Sequence, residues 1–507
     1  MQTIIYYSDF GAKGDGVTND FYSIKAAHSF ANDIGAKVCA AAGATYYIGK
    51  TAGESITVKT DTDFCGAHFI IDDISVAPDD AERTASIFIV KNENEPISYA
   101  EGSEEVEALK SACPIDINTR KLPFKPGYTA MIVPYDHGKK VYKRLGATSN
   151  PGASQHELLI IDKDGNIDET TPALLPYENV TKLDVYRIDD KPITLENGKF
   201  TTRANRAPRE YTYYERNILV KRSNVTLKNI EHYITDEIDT GAPYHPFFSI
   251  QETNNVRLEN CVVTGHKCYI ERSARSNMGS YDIGGTCANN VYYKNCRQSN
   301  FFYPNGMPSL NEVTWGIMGS NYCKNITYDT CLLTRFDAHA GIYNGKVINS
   351  EIIYLRLTGG GKFTIQDSTI YGNEIISLRA DYGCTWRGEV EIINCRLMND
   401  RTPVNLFNAR FYAHHNFGYQ AYYPENITVS GLTLKTPSDV YIFNDITPEG
   451  EFDVTAEKLT VGGEEIENVN RMIIPEKVVI KNTNETTRSF KGSPDKVFDK
   501  QLKIIFE

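Results

Sequence analysis

The stretch RFDAHAG, residues 335–341, places a guanidinium, a carboxylate and an imidazole within five positions. Side chains of these types can bind an anion and move a proton. Cleavage of a glycosidic bond needs two carboxyl groups, one protonated to donate to the leaving oxygen and one ionised to attack or to activate water. Asp337 is the candidate for one role, and Asp282 in YDIGG (281–285) for the other. His339, two positions from Asp337, can tune that carboxylate or shuttle a proton itself. Arg335, Arg356 and Arg379, with His266 and Lys267 of TGHK (264–267), supply cations that suit a uronate or sulfate on a substrate. Tyr343 and Asp381 complete the expected set of substrate contacts, and His414 and His415 fit a binding rim. No metal or cofactor is needed for this chemistry.

Residues so far apart in the chain act together only if the fold stacks them, and the second half of the chain repeats. The segments NVTLKNI (224–230), NVRLENC (255–261), NVYYKNC (290–296) and NITYDTC (325–331) recur at offsets of 31, 35 and 35 residues. They continue as KFTIQDS (362–368), EVEIINC (389–395) and NITVSGL (426–432), with a shorter relative, GKVINSEI (345–352). A second strand-like stretch precedes each copy. Two strands per unit, period-two alternation, Asn and Gly at the turns and no helical pattern between them describe a chain coiling as a parallel β-helix.

In such a coil, equivalent positions of successive turns stack about 4.8 Å apart. Ile250, Ile283, Ile317, Ile342, Leu357, Leu378 and Leu406 are expected as one interior column. Their neighbours Gln251, Asp282, Met318, Tyr343, Arg356, Arg379 and Phe407 then face outward on one strip. Asp282 and Asp337 fall one to two rungs apart on this reading, on the order of 5 to 10 Å, which suits either retention or inversion. Cys261, Cys296, Cys331 and Cys395 form another column and read as small buried hydrophobes, and the asparagines before them read as a ladder at a turn.

Bulk composition sets the outer bounds. The 507 residues are 41% hydrophobic and 23% charged, without an uncharged apolar run long enough to span a membrane. A balance of 53 Lys+Arg against 65 Asp+Glu gives −12, which repels nucleic acid, and no basic stripe is expected to override it. The 32 tyrosines offer flat faces and hydroxyls suited to sugars. Eleven scattered cysteines argue against a disulfide framework or a zinc site. The opening MQTIIYYSD carries no signal-peptide pattern, so the expected locations are the cytoplasm, a phage particle, or the exterior with the signal already removed.

Near the N-terminus, DFGAKGDGVTND precedes an amphipathic pattern, with Thr18 or Asn19 as the expected cap and Ile24, Ala27, Phe30 and Ile34 as its apolar face. The glycines do not follow the dinucleotide-binding order, so phosphate binding is not expected there. This segment, ahead of Asn-rich coils, resembles the start of the pectate-lyase-like superfamily of right-handed parallel β-helices, which includes polygalacturonase-type glycosidases, polysaccharide lyases and phage tailspikes. The resemblance covers residues 1 to about 50 and about 215 to 435. It implies that the N-terminal helix caps the coil. The NTD and DD elements of polygalacturonases are missing, and TGHK only partly echoes their GHG, so the resemblance bears on fold more than on activity.

The expected fold is therefore all-β: a single-stranded right-handed parallel β-helix with an N-terminal capping helix and an inserted β-rich subdomain. Residues 1–71 are read as the cap and first coils, 72–212 as the insertion, 213–440 as the main coil and 441–507 as a β-rich extension. Within the insertion DKDGNID (162–168) imitates the start of a calcium loop, but Ile167 and Ala173 stand where Gly and Glu are required, so a turn is expected. The expected function is cleavage of glycosidic bonds in an acidic polysaccharide or oligosaccharide by paired carboxylates. β-Elimination on a uronate and glycan binding by a tailspike-like or adhesin-like protein are the alternatives. A monomer and a homotrimer are both compatible with it, and neither nucleic acid nor membrane is an expected partner.

Overall fold

The computed structural model describes residues 3–146, 149–208, 212–238, 240–265, 269–271, 276–278, 280–300, 318–448, 450–481 and 487–507. The chain divides into two compact units. Met1–Pro96 and Tyr186–Phe302 belong to the first, Ile97–Val185 and Ser320–Glu507 to the second.

In the first unit, the repeats form parallel ladders in the register their spacing predicts. Val225 pairs with Val256 and Val256 with Val291, and Leu227 pairs with Leu258 and then Tyr293. These side chains are all buried, whereas Thr226, Lys228 and Arg257 are not, as period-two alternation requires. The turns before and after each copy sit on asparagines in the left-handed region: Asn224 at φ 59°, Asn255 at 59° and Asn290 at 50°. Asn tolerates that conformation because its short amide bonds locally. Here the amides also bond one another, from Asn255 to Asn224 at 2.6 Å and from Asn260 to Asn229 at 3.1 Å.

A helix, Phe21–Ile34, packs on the first coils. Its buried face is Phe21, Ile24, Ala27, His28 and Ala31. Phe30 and Ile34, expected on that face, are 46% and 52% exposed. The cap residue is Asp20 rather than Thr18 or Asn19. Its carboxylate accepts the amides of Lys13 at 2.6 Å and Gly14 at 3.0 Å, which folds the glycine loop onto the helix start and occupies donors that an anion would need. Beneath the helix, Tyr7, Tyr46, Phe69 and Phe200 form a continuous aromatic interior.

In the second unit, one ladder runs through Lys324–Asp329, Ile342–Ile348, Gly359–Gln366, Trp386–Ile393, Asn426–Ser430, Lys477–Lys481 and Ile504–Phe506. Its interior column is Tyr328, Val347, Ile365, Ile392, Val429 and Ile480, all 1% exposed or less. Another runs through Leu332–Ala340, Glu351–Leu357, Glu374–Leu378, Val404–Asn408, Ser438–Phe443 and Thr487–Lys491. Within residues 441–507, Lys477–Lys481, Thr487–Lys491 and Ile504–Phe506 are therefore further coil strands, beside an antiparallel hairpin of Lys458–Val461 and Glu464–Glu467.

The insertion is also narrower than 72–212. Phe88–Lys91 and Ile193–Arg203 pair in parallel with coil strands, because their alternating apolar residues face the coil interior. What remains is a five-stranded antiparallel sheet formed by Ile97–Ala100, Ala130–Val141, Ala153–His156, Leu159–Ile161 and Lys182–Arg187. It carries one helix, Glu104–Ser111, and its own core around Val106, Leu109, Ile132, Leu159 and Leu183. DKDGNID closes as a turn in which Asp162 accepts the amides of Asp164 and Asn166, each at 2.9 Å.

The expected aliphatic column is not one stack. Ile250 pairs with Gly285 while Ile283 pairs with Phe248, and Ile342 pairs with Gly359. Only Leu357 and Leu378 are in register. The column mixed residues of different ladders, which burial cannot distinguish because every ladder turns one face inward. Ile317 lies outside the described residues.

Candidate functional site

Asp282 is not on an outward strip. It is 0% exposed, and its carboxylate accepts the Thr264 amide at 2.5 Å and meets Nδ1 of His232 at 2.7 Å. Nε2 of His232 reaches the Thr202 hydroxyl at 2.9 Å, and its ring lies flat on Phe247 with centroids 3.7 Å apart. His232 pairs in register with Phe200, which places this chain of bonds inside the first unit. A buried polar group is tolerated when its bonds are made, and these are. Asp282 is thereby a support of the coil interior.

The strand Leu332–Ala340 alternates as its residues demand. Phe336 turns inward against Tyr328 and Phe363, and Arg335, Asp337 and His339 take the opposite face. The next strand sets Tyr354 beside Arg335 and Arg356 beside Asp337. The turn Ala380–Tyr382 then closes over this face and buries it: Asp337 is 1%, Arg379 4% and Arg335 7% exposed. The Asp337 carboxylate bonds Arg379 and meets Arg335 at 3.4 Å. Arg379 also grips Asp381 with two bonds, 3.1 and 2.8 Å, and Arg144 of the insertion bonds the same carboxylate at 2.8 Å.

Four guanidinium groups thus surround two carboxylates, and the surplus positive charge decides the protonation states. Burial alone would raise the Asp337 carboxyl, but Arg379, with His339, Arg356 and Arg335, outweighs it and holds Asp337 well below the usual carboxylate range. Asp381 is likewise lowered, burial being outweighed by Arg379 and Arg144. Burial and the nearby Arg379 push His339 down to about 4, so it is neutral at neutral pH. Its ring stands edge-on to Tyr382 at 6.0 Å.

Of the residues expected at a site, Arg335, Asp337, His339, Arg356, Arg379 and Asp381 come together. Tyr343 belongs to another ladder, next to Lys324 and Gly360. Phe407, expected outward, is buried and stacks on Phe443. His266 and Lys267 lie outside the described residues, as does the Met318 side chain.

The sequence reading missed the residues beside this cluster. Tyr382, over which both Arg379 and Arg144 lie, accepts a 2.6 Å bond from the Tyr419 hydroxyl through its carbonyl. Tyr419 packs 5.0 Å from Tyr142, and both line a cavity of about 330 Å³ with Lys139, Arg387 and Tyr422. A more open cleft of about 520 Å³ shares Lys139, Tyr419 and Gln420 with it and adds Lys140, Lys143 and Arg471. No aspartate or glutamate lines the open cleft. Lys139 and Lys140 bond only neutral oxygens here, the Pro176 carbonyl at 3.1 Å and the Ser154 hydroxyl at 2.8 Å. The signal was present as KKVYKR, residues 139–144, so the expectation of no basic stripe is corrected. Among the described residues, no group of three or more His, Cys, Asp or Glu side chains is placed to hold a metal ion.

The cysteine column is as expected: Cys261, Cys296, Cys331 and Cys395 are at most 3% exposed, and none is in a disulfide.

No protein-family model and no curated protein matches the chain. Solved structures do. The tailspike gp61 of Pseudomonas phage phi297 is similar with a TM-score of 0.51, covering 96% of this chain and 81% of its own at 12% identity. The tailspike gp49 from Pseudomonas phage LKA1 gives 0.48 over 99% and 84% at 13% identity. The A-module of the Azotobacter vinelandii mannuronan C-5 epimerase AlgE4 gives 0.41 over 99% and 97% at 11% identity. The likeness to gp61, at such identity, concerns the fold alone, and it agrees with the parallel ladders. The chain is a right-handed parallel β-helix protein.

Proposed function

We propose that the protein binds an acidic polysaccharide or oligosaccharide in the cleft of the second unit. The observation that carries this reading is the lining itself: Lys139, Lys140 and Lys143 stand there with Arg471, whose ion-pair partner, Glu457 at 3.0 Å, lies outside the lining, in a chain of net charge −12. A basic cleft in an acidic protein concentrates anionic ligands and repels little of its own surface. Tyr419 and Tyr422 in the adjoining cavity offer faces for sugar rings, and Gln420 and Asn470 offer amides for hydroxyls. The ionic cluster around Arg379 holds Tyr382, and through it Tyr419, in place.

The test is binding of polygalacturonate, alginate and hyaluronan against neutral dextran and starch, with the wild type and a Lys139→Ala/Lys143→Ala variant. Retention of acidic glycans only, with about a tenfold loss in the variant, is the expected result. Equal binding of neutral and acidic polymers, or an unaffected variant, refutes the reading.

Cleavage of the bound glycan is a second reading, and the protonation states favour elimination over hydrolysis. Paired-carboxylate hydrolysis needs a protonated acid, whereas Asp337 is held ionised. His339, unprotonated at neutral pH and beside several arginines, is the candidate to accept the proton next to a charge-neutralised uronate, although its depressed value makes it a weak base. An unsaturated, ultraviolet-absorbing product that disappears in His339→Gln supports elimination. New reducing ends without that absorbance support hydrolysis instead.

A further inference from the structure

A second cavity of the same unit, about 260 Å³, is lined by residues 410–415 with Leu145, Phe452 and Val461. Its lining combines two chemistries. Arg410, His414 and His415 contribute polar groups, and Leu145, Phe411 and Phe452 contribute an apolar wall. Among the described lining residues there is no aspartate or glutamate. Its volume is just below the range of roughly 300–1,000 Å³ of ordinary ligand sites, which suits one sugar unit rather than a run of them.

The walls are built, not draped. The Arg410 amide donates to Sγ of Cys384 at 3.1 Å, that of Ala409 to the Asn444 side chain at 2.7 Å and that of Phe411 to the Ile446 carbonyl at 2.9 Å. His415 donates through Nε2 to the Lys143 carbonyl at 3.2 Å, and its ring packs against Phe417 at 4.4 Å. The Ala413 carbonyl accepts the Val469 amide at 3.1 Å. Five tethers over seven residues make a preformed pocket. The guanidinium of Arg410, on an exposed residue, lies 5.3 Å over the ring of Tyr412, a plane from which its fork can meet a carboxylate with two bonds.

We propose that this cavity binds a single sugar unit that carries both a carboxylate and an acyl or acylamino group. The carboxylate meets Arg410 and His414, and the acyl methyl lies against Phe411, Phe452 and Leu145. The inference rests on the glycan reading for its sugar ring but not on the basic cleft, so the two stand or fall separately.

Three monosaccharides separate the contributions, measured by titration against the full chain: N-acetylneuraminic acid with both groups, glucuronic acid with the carboxylate alone, and N-acetylglucosamine with the acyl group alone. The expected order places N-acetylneuraminic acid about tenfold or more above each of the others. Arg410→Ala removes its advantage over N-acetylglucosamine, and Phe452→Ala removes its advantage over glucuronic acid. Phe452→Leu, which keeps the apolar wall, retains most of that advantage and guards against a folding defect. Equal binding of the three sugars, no binding of any, or preferences unchanged in Arg410→Ala overturn the proposal. Polyuronate binding by the same preparations, and its loss in Lys139→Ala/Lys143→Ala, reports on the cleft independently.

Discussion

Asp337 shows how one residue type changes its meaning with its surroundings. In sequence it is a carboxylate next to a histidine in a polar turn; in the fold it is a buried anion gripped by Arg379 and Arg335. Replacing it with Asn keeps the shape and removes the charge, so the buried Arg379 is left with the Asp381 carboxylate and the buried cluster carries a larger surplus of positive charge. The expected cost is roughly 3–5 kcal/mol, read as a lowered unfolding midpoint in denaturant. A catalytic Asp337 would instead lose turnover with stability intact. His339 carries a second prediction. Its folded value of about 4 lies below the ordinary 6.5, so between these values the unfolded chain binds the proton more readily, and stability falls as pH drops from 6.5 toward 4. The depressed Asp337 acts in the same direction at lower pH, since its contribution is present above the ordinary carboxylate range and lost below it. Thermal unfolding across this window should show the decline, and His339→Gln should flatten its upper part. The buried His28, pushed down to about 3 by burial, leaves a residual slope.

At the scale of elements, the turns are the specific part. Asn260 sits at φ 56° and both donates to Asn229 and accepts from Asn295, at 3.1 and 2.8 Å. Asn260→Val places a β-branched residue in the left-handed region and should destabilise by about 1–2 kcal/mol more than Asn260→Gly, measured by denaturant unfolding. Gly341, at φ 60°, marks where the strand after His339 meets the insertion: a Cβ there would lie 1.8 Å from the Tyr142 hydroxyl. Gly341→Ala should therefore displace Tyr142 and weaken polyuronate binding severalfold, a loss visible in titration without a change of the lysines. One of these two turns was legible. The asparagines announced a ladder by their recurrence at 31 and 35 residues, because stacking repeats one chemical need at each rung. Gly341 could not be read, since the tyrosine that fills its space lies about two hundred positions earlier.

For the whole molecule, charge distribution matters more than net charge. A chain of −12 that keeps Lys139, Lys140, Lys143 and Arg471 together should bind polyuronates with a strong salt dependence, because opposite charges at an open cleft are screened over about 8 Å at physiological ionic strength. Dissociation constants measured across a salt series should rise steeply for the wild type and more gently for Lys139→Ala/Lys143→Ala. The sequence by itself determined the coil: alternation with period two sets which side chains enter the interior, and recurrence at a fixed offset sets which ones stack. It also identified the cysteines as interior filler, because a small apolar side chain at the same place in each rung has one use. Only tertiary structure decided the site. Whether an outward side chain meets water or a covering turn depends on segments remote in the chain. Asp337 was covered by the turn at Asp381, Asp282 was taken by His232, and the cleft was completed by lysines from an insertion whose own strands pair antiparallel. Local pattern reports the direction in which a side chain leaves its strand, and long-range packing settles what it finds there.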